Sequence, residues 1–246
     1  MNHDVFVVEK TPIAGQEALE DRCEQVKELI SSFATSWFVE FAGMPRSGKS
    51  GCIKIVEHFL DRNGFAVLAP SEGAIRLPDF IKDSGDLLAY NVWTATYAIR
   101  EILEGRFRRP NKYDFVILDR GLFDAMAWFH LLENKKKLEE DERKFMTEFM
   151  RVSHWSALIK QVFLLFCSPE KSIQREFKDK LTTKHGATTN ETFLKELCVV
   201  YKEVKNCYSE DFRKIIEIDT DSLDQKQVAF LIVKNIFDDV ESEKEA

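Results

Sequence analysis

The residues best suited to chemistry lie in one run, Gly43-Met44-Pro45-Arg46-Ser47-Gly48-Lys49-Ser50. Its pattern is G-x-x-x-x-G-K-[ST], in which glycines let consecutive backbone N–H groups curl around an anion. A helix opening at its end adds the partial positive charge of its N-terminus. On this reading Gly43, Ser47 and Gly48 shape the cradle, and Lys49 reaches the β- and γ-phosphates of a nucleoside triphosphate. The Ser50 hydroxyl is then a ligand for Mg²⁺. Arg46 either touches phosphate or is merely solvated. Cys52 lies just beyond the loop, either bordering the nucleotide and making the site redox-sensitive, or buried as a small helix residue.

Two further places supply charge. Residues 115–118, Phe-Val-Ile-Leu, read as a buried strand that ends in Asp119, with Arg120 and Gly121 directly after. A carboxylate beside such a loop holds Mg²⁺ directly or through water, so Ser50 and Asp119 are the candidate metal pair. The bland alternative is a strand-end Asp with a surface Arg. Residues 69–76, Ala-Pro-Ser-Glu-Gly-Ala-Ile-Arg, follow another apolar run. There Glu72 either takes a proton from, or orients, an acceptor hydroxyl, or it pairs with Arg76 on the surface.

The elements that must position these groups alternate. Strands are predicted at residues 37–42, 65–69, 115–118, 162–166 and 215–218, and helices at 48–62, 86–104, 122–133, 139–155 and 224–237. Strands alternating with helices predict a three-layer α/β/α fold with a five-stranded parallel sheet, whose ligands bind beyond the carboxyl ends of the strands. Residues 16–33 carry Leu19, Val26, Leu29, Ile30 and Phe33 among charges, as one amphipathic helix would. Residues 1–34 are accordingly expected to be a helical extension and residues 35–246 the main domain.

The loop, the Asp119-Arg120 pair and the long helix before it resemble the nucleoside and nucleotide kinases of the phosphate-loop class, particularly thymidylate kinases and deoxynucleoside kinases. The likeness in order and spacing spans roughly residues 37–237. It implies ATP- and Mg²⁺-dependent phosphoryl transfer to a small acceptor, a nucleoside or nucleotide, beneath a helical lid near residues 169–190. It also implies that Arg120 contacts transferring or acceptor phosphate oxygens and that Glu72 serves as base. Arg175 is the only arginine of the lid segment, with Lys178, Lys180 and Lys184 as cations lacking its bidentate fork. Either Arg175 clamps phosphate on closure or it belongs to a charged, solvated helix. Thymidylate kinases carry an arginine shortly after a Leu-Leu pair, whereas here Leu87-Leu88 is followed by Ala-Tyr-Asn-Val-Trp-Thr. Asn91, Trp93 and Tyr97 are either a pocket for a base or, for the two aromatics, core. The alternative function is a nucleotide-binding regulatory ATPase without acceptor chemistry.

Composition bounds the partners. With 35 basic against 42 acidic residues the chain is net −7, which argues against a general nucleic-acid coat. The cluster Arg100, Arg106, Arg108, Arg109 and Lys112 would meet a nucleic-acid end only if it faced the active site. No apolar run reaches the ~20 residues of a membrane span, and five cysteines without a C-x-x-C pair form neither a disulfide framework nor a zinc site. The expectation is a soluble, reduced, cytoplasmic protein with no membrane partner, and a homodimer is compatible with it.

Overall fold

The computed structural model describes residues 15–107, 113–179 and 190–243. Helices α1 (Gln16–Glu20) and α2 (Cys23–Ser32) precede strand β1 (Trp37–Gly43), which runs into α3 (Lys49–Arg62). Strand β2 (Val67–Leu68) leads through a 3-10 turn (Gly73–Arg76) and α4 (Asp79–Ser84) to the long α5 (Leu87–Phe107). Then follow β3 (Phe115–Asp119), α6 (Leu122–Asn134), α7 (Glu140–Met150) and α8 (Ser153–Ser156). The chain closes with β4 (Ile159–Phe166), α9 (Pro169–Asp179), α10 (Glu191–Tyr208), β5 (Ile215–Asp219) and α11 (Gln225–Glu243).

The five strands form one sheet in the order β2-β3-β1-β4-β5, with every pairing parallel. All seven residues of β1 are buried, as an apolar central strand with both faces covered must be. Alternate side chains feed two cores. Phe38, Ala42, Val116, Leu118 and Leu164 pack against α5, α6 and α10. Trp37, Val39, Phe41, Ile117, Phe163 and Leu165 pack against α2, α3 and α11. The register sets Phe41 beside Asp119 and Gly43 beside Leu165, so the loop after β1 and the turn after β3 emerge together at one edge.

Several elements differ from expectation. The predicted helix over residues 16–33 is two helices, broken where Arg22 turns to hold Asp238 and Glu241 of α11 at 2.8 Å. The predicted helix over residues 139–155 ends at Met150 and resumes briefly as α8. Helix α10 has no counterpart in the sequence reading. Of the lid segment, α9 is described, while Lys180, Lys184 and the polar stretch 182–189 lie outside the described residues, as do Arg108, Arg109 and Lys112 of the basic cluster.

Candidate active site

The backbone of β1 turns sharply at Gly43. Its φ is 122°, and a Cβ there would stand 2.2 Å from the Leu165 carbonyl oxygen, so only glycine lets the loop leave the sheet at this point. Lys49, at the first turn of α3, folds its Nζ back to donate to the Gly43 and Met44 carbonyls at 2.9 and 2.8 Å. Burial, reinforced by the nearby Arg120 cation, pulls its pKa down to about 8. Ser47 Oγ is buried without a hydrogen-bond partner, a polar atom held in reserve at the loop.

The Ser50 hydroxyl donates to Asp119 Oδ2 at 2.8 Å, joining the loop to the end of β3. The other carboxylate oxygen, Oδ1, is buried and has no partner. A hydroxyl and a carboxylate in contact, with one oxygen unspent, form a hard-oxygen donor set that suits Mg²⁺. Among the described residues no cluster of three or more His, Cys, Asp or Glu could hold a metal by protein ligands alone. An ion shared with phosphate is the arrangement these residues fit.

Around the loop lies a cleft of about 600 Å³, bordered by Arg46, Ser47, Lys49, Ser50, Glu72, Arg120, Arg175 and Lys178. Arg175 leaves α9 to donate to the Arg46 and Thr220 carbonyls, at 3.2 and 2.6 Å, and to Thr220 Oγ1 at 3.0 Å. It therefore ties the loop to the end of β5 while facing the cleft, and is not a freely solvated helix charge. Arg46 forms an ion pair with the buried Glu176. Cys52 borders the cleft floor but is buried, with Sγ directed at the Gln225 carbonyl, 3.7 Å away. Burial pushes its thiol up to about 11, so the neutral thiol is the stable form.

Glu72 does not pair with Arg76, whose Nε donates to Ser71 Oγ instead. Arg120 Nε donates to Glu72 Oε1 at 2.7 Å, and Arg120 Nη1 donates to both oxygens of Asp124, at 2.9 and 2.8 Å. Burial works against the charged guanidinium, but the Asp124 and Glu72 charges outweigh it and raise its pKa well above the ordinary value. Behind this bridge opens a second cleft of about 330 Å³, lined by Leu87, Tyr90, Asn91, Thr94, Ala95, Ala125 and Trp128. Pro45, Glu72 and Arg120 border both clefts. Of the three suggested pocket residues only Asn91 faces this space. Trp93 and Tyr97 border a separate groove with Arg76 and Arg100, so they are neither base pocket nor fully core.

Three supporting residues escaped the sequence reading: Glu40, Asp124 and Tyr201. Glu40, fully buried on β1, accepts the backbone N–H groups of Gly121, Phe123 and Asp124 at 3.0, 3.1 and 2.8 Å. It caps the start of α6 and fixes the Asp119-Arg120-Gly121 turn, where Arg120 has a left-handed φ of 66°. A Cβ on Gly121 would come 2.6 Å from the Glu40 carboxyl, so this turn also demands glycine. Burial, with the Asp124 charge adding, raises the Glu40 pKa to about 7 despite the three amide bonds. The signals available were a charged residue inside an apolar strand for Glu40 and the i, i+4 spacing from Arg120 for Asp124.

No family model matches the chain, and no curated protein matches it by sequence. Solved structures do match. The fold is similar to that of a deoxyadenosine kinase from M. mycoides, seen with the products dCMP and a flexible dCDP bound (TM-score 0.60, 16% identity). The same enzyme with dCTP gives 0.59 at 18% identity, and with dATP 0.57 at 18%. Each comparison covers 81% of this chain and 98% of the other. The fold is that of the phosphate-loop deoxynucleoside kinases.

Proposed function

We propose that the protein transfers the γ-phosphoryl group of Mg²⁺-ATP to a hydroxyl of a neutral nucleoside-like acceptor. The observation that carries this reading is the pair of clefts meeting at Glu72 and Arg120. The triphosphate would lie on the loop amides, Lys49 and Arg175, with Ser50 and Asp119 holding Mg²⁺ and the ion offsetting phosphate charge. The acceptor would occupy the smaller cleft, between Trp128 and the Tyr90–Asn91 face of α5. Glu72 Oε1 already accepts from Arg120, so Oε2 is the oxygen an acceptor hydroxyl would meet. As Glu72 takes that proton, the hydroxyl oxygen bonds to the γ-phosphorus, and the bond to the β–γ bridging oxygen breaks to release ADP. Arg120 and Lys49 would draw off charge on the migrating group.

The charge inventory favours a nucleoside over a nucleotide as acceptor. The acceptor cleft's described lining contains one cation, Arg120, against two carboxylates, Glu72 and Asp124. A doubly charged monophosphate would enter a region already short of positive charge, whereas a neutral sugar hydroxyl meets no such barrier. That the similar solved folds belong to a deoxyadenosine kinase supports the same acceptor class.

The test is incubation with Mg²⁺-ATP and separate pools of nucleosides and nucleoside monophosphates, with products read by mass. Nucleoside monophosphates should appear in the first pool. Diphosphates from the second pool alone would overturn the neutral acceptor, and ADP release that is independent of either pool would favour a regulatory ATPase.

A further inference from the structure

Tyr201 sits in the middle of α10, more than 75 residues from the groups its hydroxyl touches, and is completely buried. Its hydroxyl lies 2.6 Å from Asp124 Oδ1 and 3.1 Å from the Gly43 carbonyl oxygen, and Arg120 Nη1 approaches it at 3.4 Å. One hydroxyl has one proton. The shorter contact gives that proton to the Asp124 carboxylate, while the Gly43 carbonyl takes its hydrogen bond from Lys49 at 2.9 Å. Asp124 Oδ1 also accepts the Gly43 backbone N–H at 3.2 Å. One carboxylate oxygen is thus shared by the first residue of the phosphate loop, the acceptor-side arginine and a tyrosine from a third element.

We propose that Tyr201 is a positioning residue for phosphoryl transfer, holding Asp124 so that Arg120 and the start of the phosphate loop keep one fixed relation across the two clefts. This rests on the phosphoryl-transfer reading above and adds a residue that touches neither cleft. The alternative, an ordinary core tyrosine, does not account for where the hydroxyl points. The α10 face carrying it is otherwise Leu194, Leu197, Val200 and Val204, and its ring meets Phe166 edge-on at 6.3 Å. Phenylalanine would satisfy that packing equally. Burial, with the Asp124 charge adding, raises the Tyr201 pKa well above the usual phenol value, so the hydroxyl remains a donor throughout the working range. With the tyrosine proton absent, Asp124 would keep only Arg120 and the Gly43 amide, and the guanidinium would gain freedom to swing. Transfer is sensitive to such loosening because displacements of about 1 Å cost up to ~100-fold in rate.

Tyr201→Phe tests this in the full chain, with two readouts. Steady-state transfer should show kcat down by about tenfold or more with the KM for ATP within about twofold. Nitrogen-15 spectra of the arginine side chains, assigned with Arg120→Lys, should show the Arg120 guanidinium protons exchanging about tenfold faster in the variant. Unchanged kcat with unchanged Arg120 exchange overturns the proposal. So does a kcat loss that merely tracks the folded fraction. If the wild-type chain phosphorylates no acceptor, the transfer reading has failed, and Arg120 exchange alone decides the positioning role. If Tyr201→Phe does not fold, Tyr201→Met, which fills the site without a hydroxyl donor, must show the same faster exchange or the proposal falls.

Discussion

The two clefts are built by opposite electrostatic rules. Among the described residues the larger is lined by five cations, Arg46, Lys49, Arg120, Arg175 and Lys178, against the carboxylates Glu72 and Asp224. It also keeps polar atoms uncommitted, with Ser47 Oγ and Asp119 Oδ1 buried and unpartnered nearby. The described lining of the smaller has one cation, Arg120, locked between two carboxylates at 2.7–2.9 Å. The difference teaches that the described lining of one cleft carries surplus positive charge, whereas that of the other has its charge already spent. A region that leaves buried polar atoms unsatisfied stores a cost that a ligand relieves. A region whose charges already neutralise one another offers a ligand shape rather than net charge.

The largest way to break this comparison is Lys49→Ala. If the larger cleft exists to hold a triphosphate, phosphoryl transfer should fall by about 10²–10³-fold or more, since one preorganised charge at a transition state contributes that much. Transfer within tenfold of wild type would show that the lysine serves only its two carbonyl contacts. The same residue gives a pH signature. Its pKa in the free protein is lowered to about 8, below the ordinary lysine value, so the cation is present below that pH and lost as pH rises through it. Calorimetric affinity for an ATP analogue should therefore weaken above about pH 8, and Lys49→Ala should lack that trend. A flat wild-type profile would contradict the assignment of Lys49 to phosphate.

Glu72→Gln sharpens the other half. The amide keeps a hydrogen-bond acceptor for Arg120 but cannot take a proton, so kcat should drop by about 10²–10³-fold, within the usual range for a general base. Affinity for the ATP analogue should stay within about twofold. A fall in nucleotide affinity equal to the fall in turnover would make Glu72 part of the triphosphate site and dissolve the division between clefts.

The same division explains what could be read from the chain. The phosphate-loop cleft is local in sequence: Gly43 to Ser50 are contiguous, and the strand–loop–helix context around them needs no tertiary knowledge. The sheet was legible for a similar reason, because a fully buried strand such as β1 is a continuous apolar run. The surround of the smaller cleft is assembled from β1, the turn after β2, the turn after β3, α6 and α10. Glu40, Asp124 and Tyr201 are 84 and 77 residues apart in successive contacts, so no window of sequence contains the group. Helix α10 itself had a signal in Leu194, Leu197, Val200, Tyr201 and Val204, spaced for one helical face, with Asn190 capping its start by accepting the Phe193 N–H at 2.9 Å. Glu72 illustrates the opposite limit. Its neighbour Arg76 offered a local partner, and only the fold shows that Arg120, 48 residues on, takes the carboxylate.

The smallest expected effect belongs to Cys52, which borders the larger cleft yet should matter little. Its Sγ points to the Gln225 carbonyl, and burial, outweighing the nearby Arg175 and Lys49 charges, pushes the thiol up to about 11. A neutral, buried thiol is a poor nucleophile, and its removal deletes one sulfur from a packed helix face. Cys52→Ala should therefore cost about 1 kcal/mol of stability in thermal melts and leave ATP-analogue affinity within about twofold. Alkylation followed by mass mapping supplies the kinetic counterpart, because the exposed Cys207 is an internal reference within the same chain. Cys207 should react first by a wide margin, and prior binding of the nucleotide should not alter that order. Equal rates at the two positions would mean that the floor of the larger cleft opens to reagent, and the redox-sensitive reading of Cys52 would return in place of the inert one.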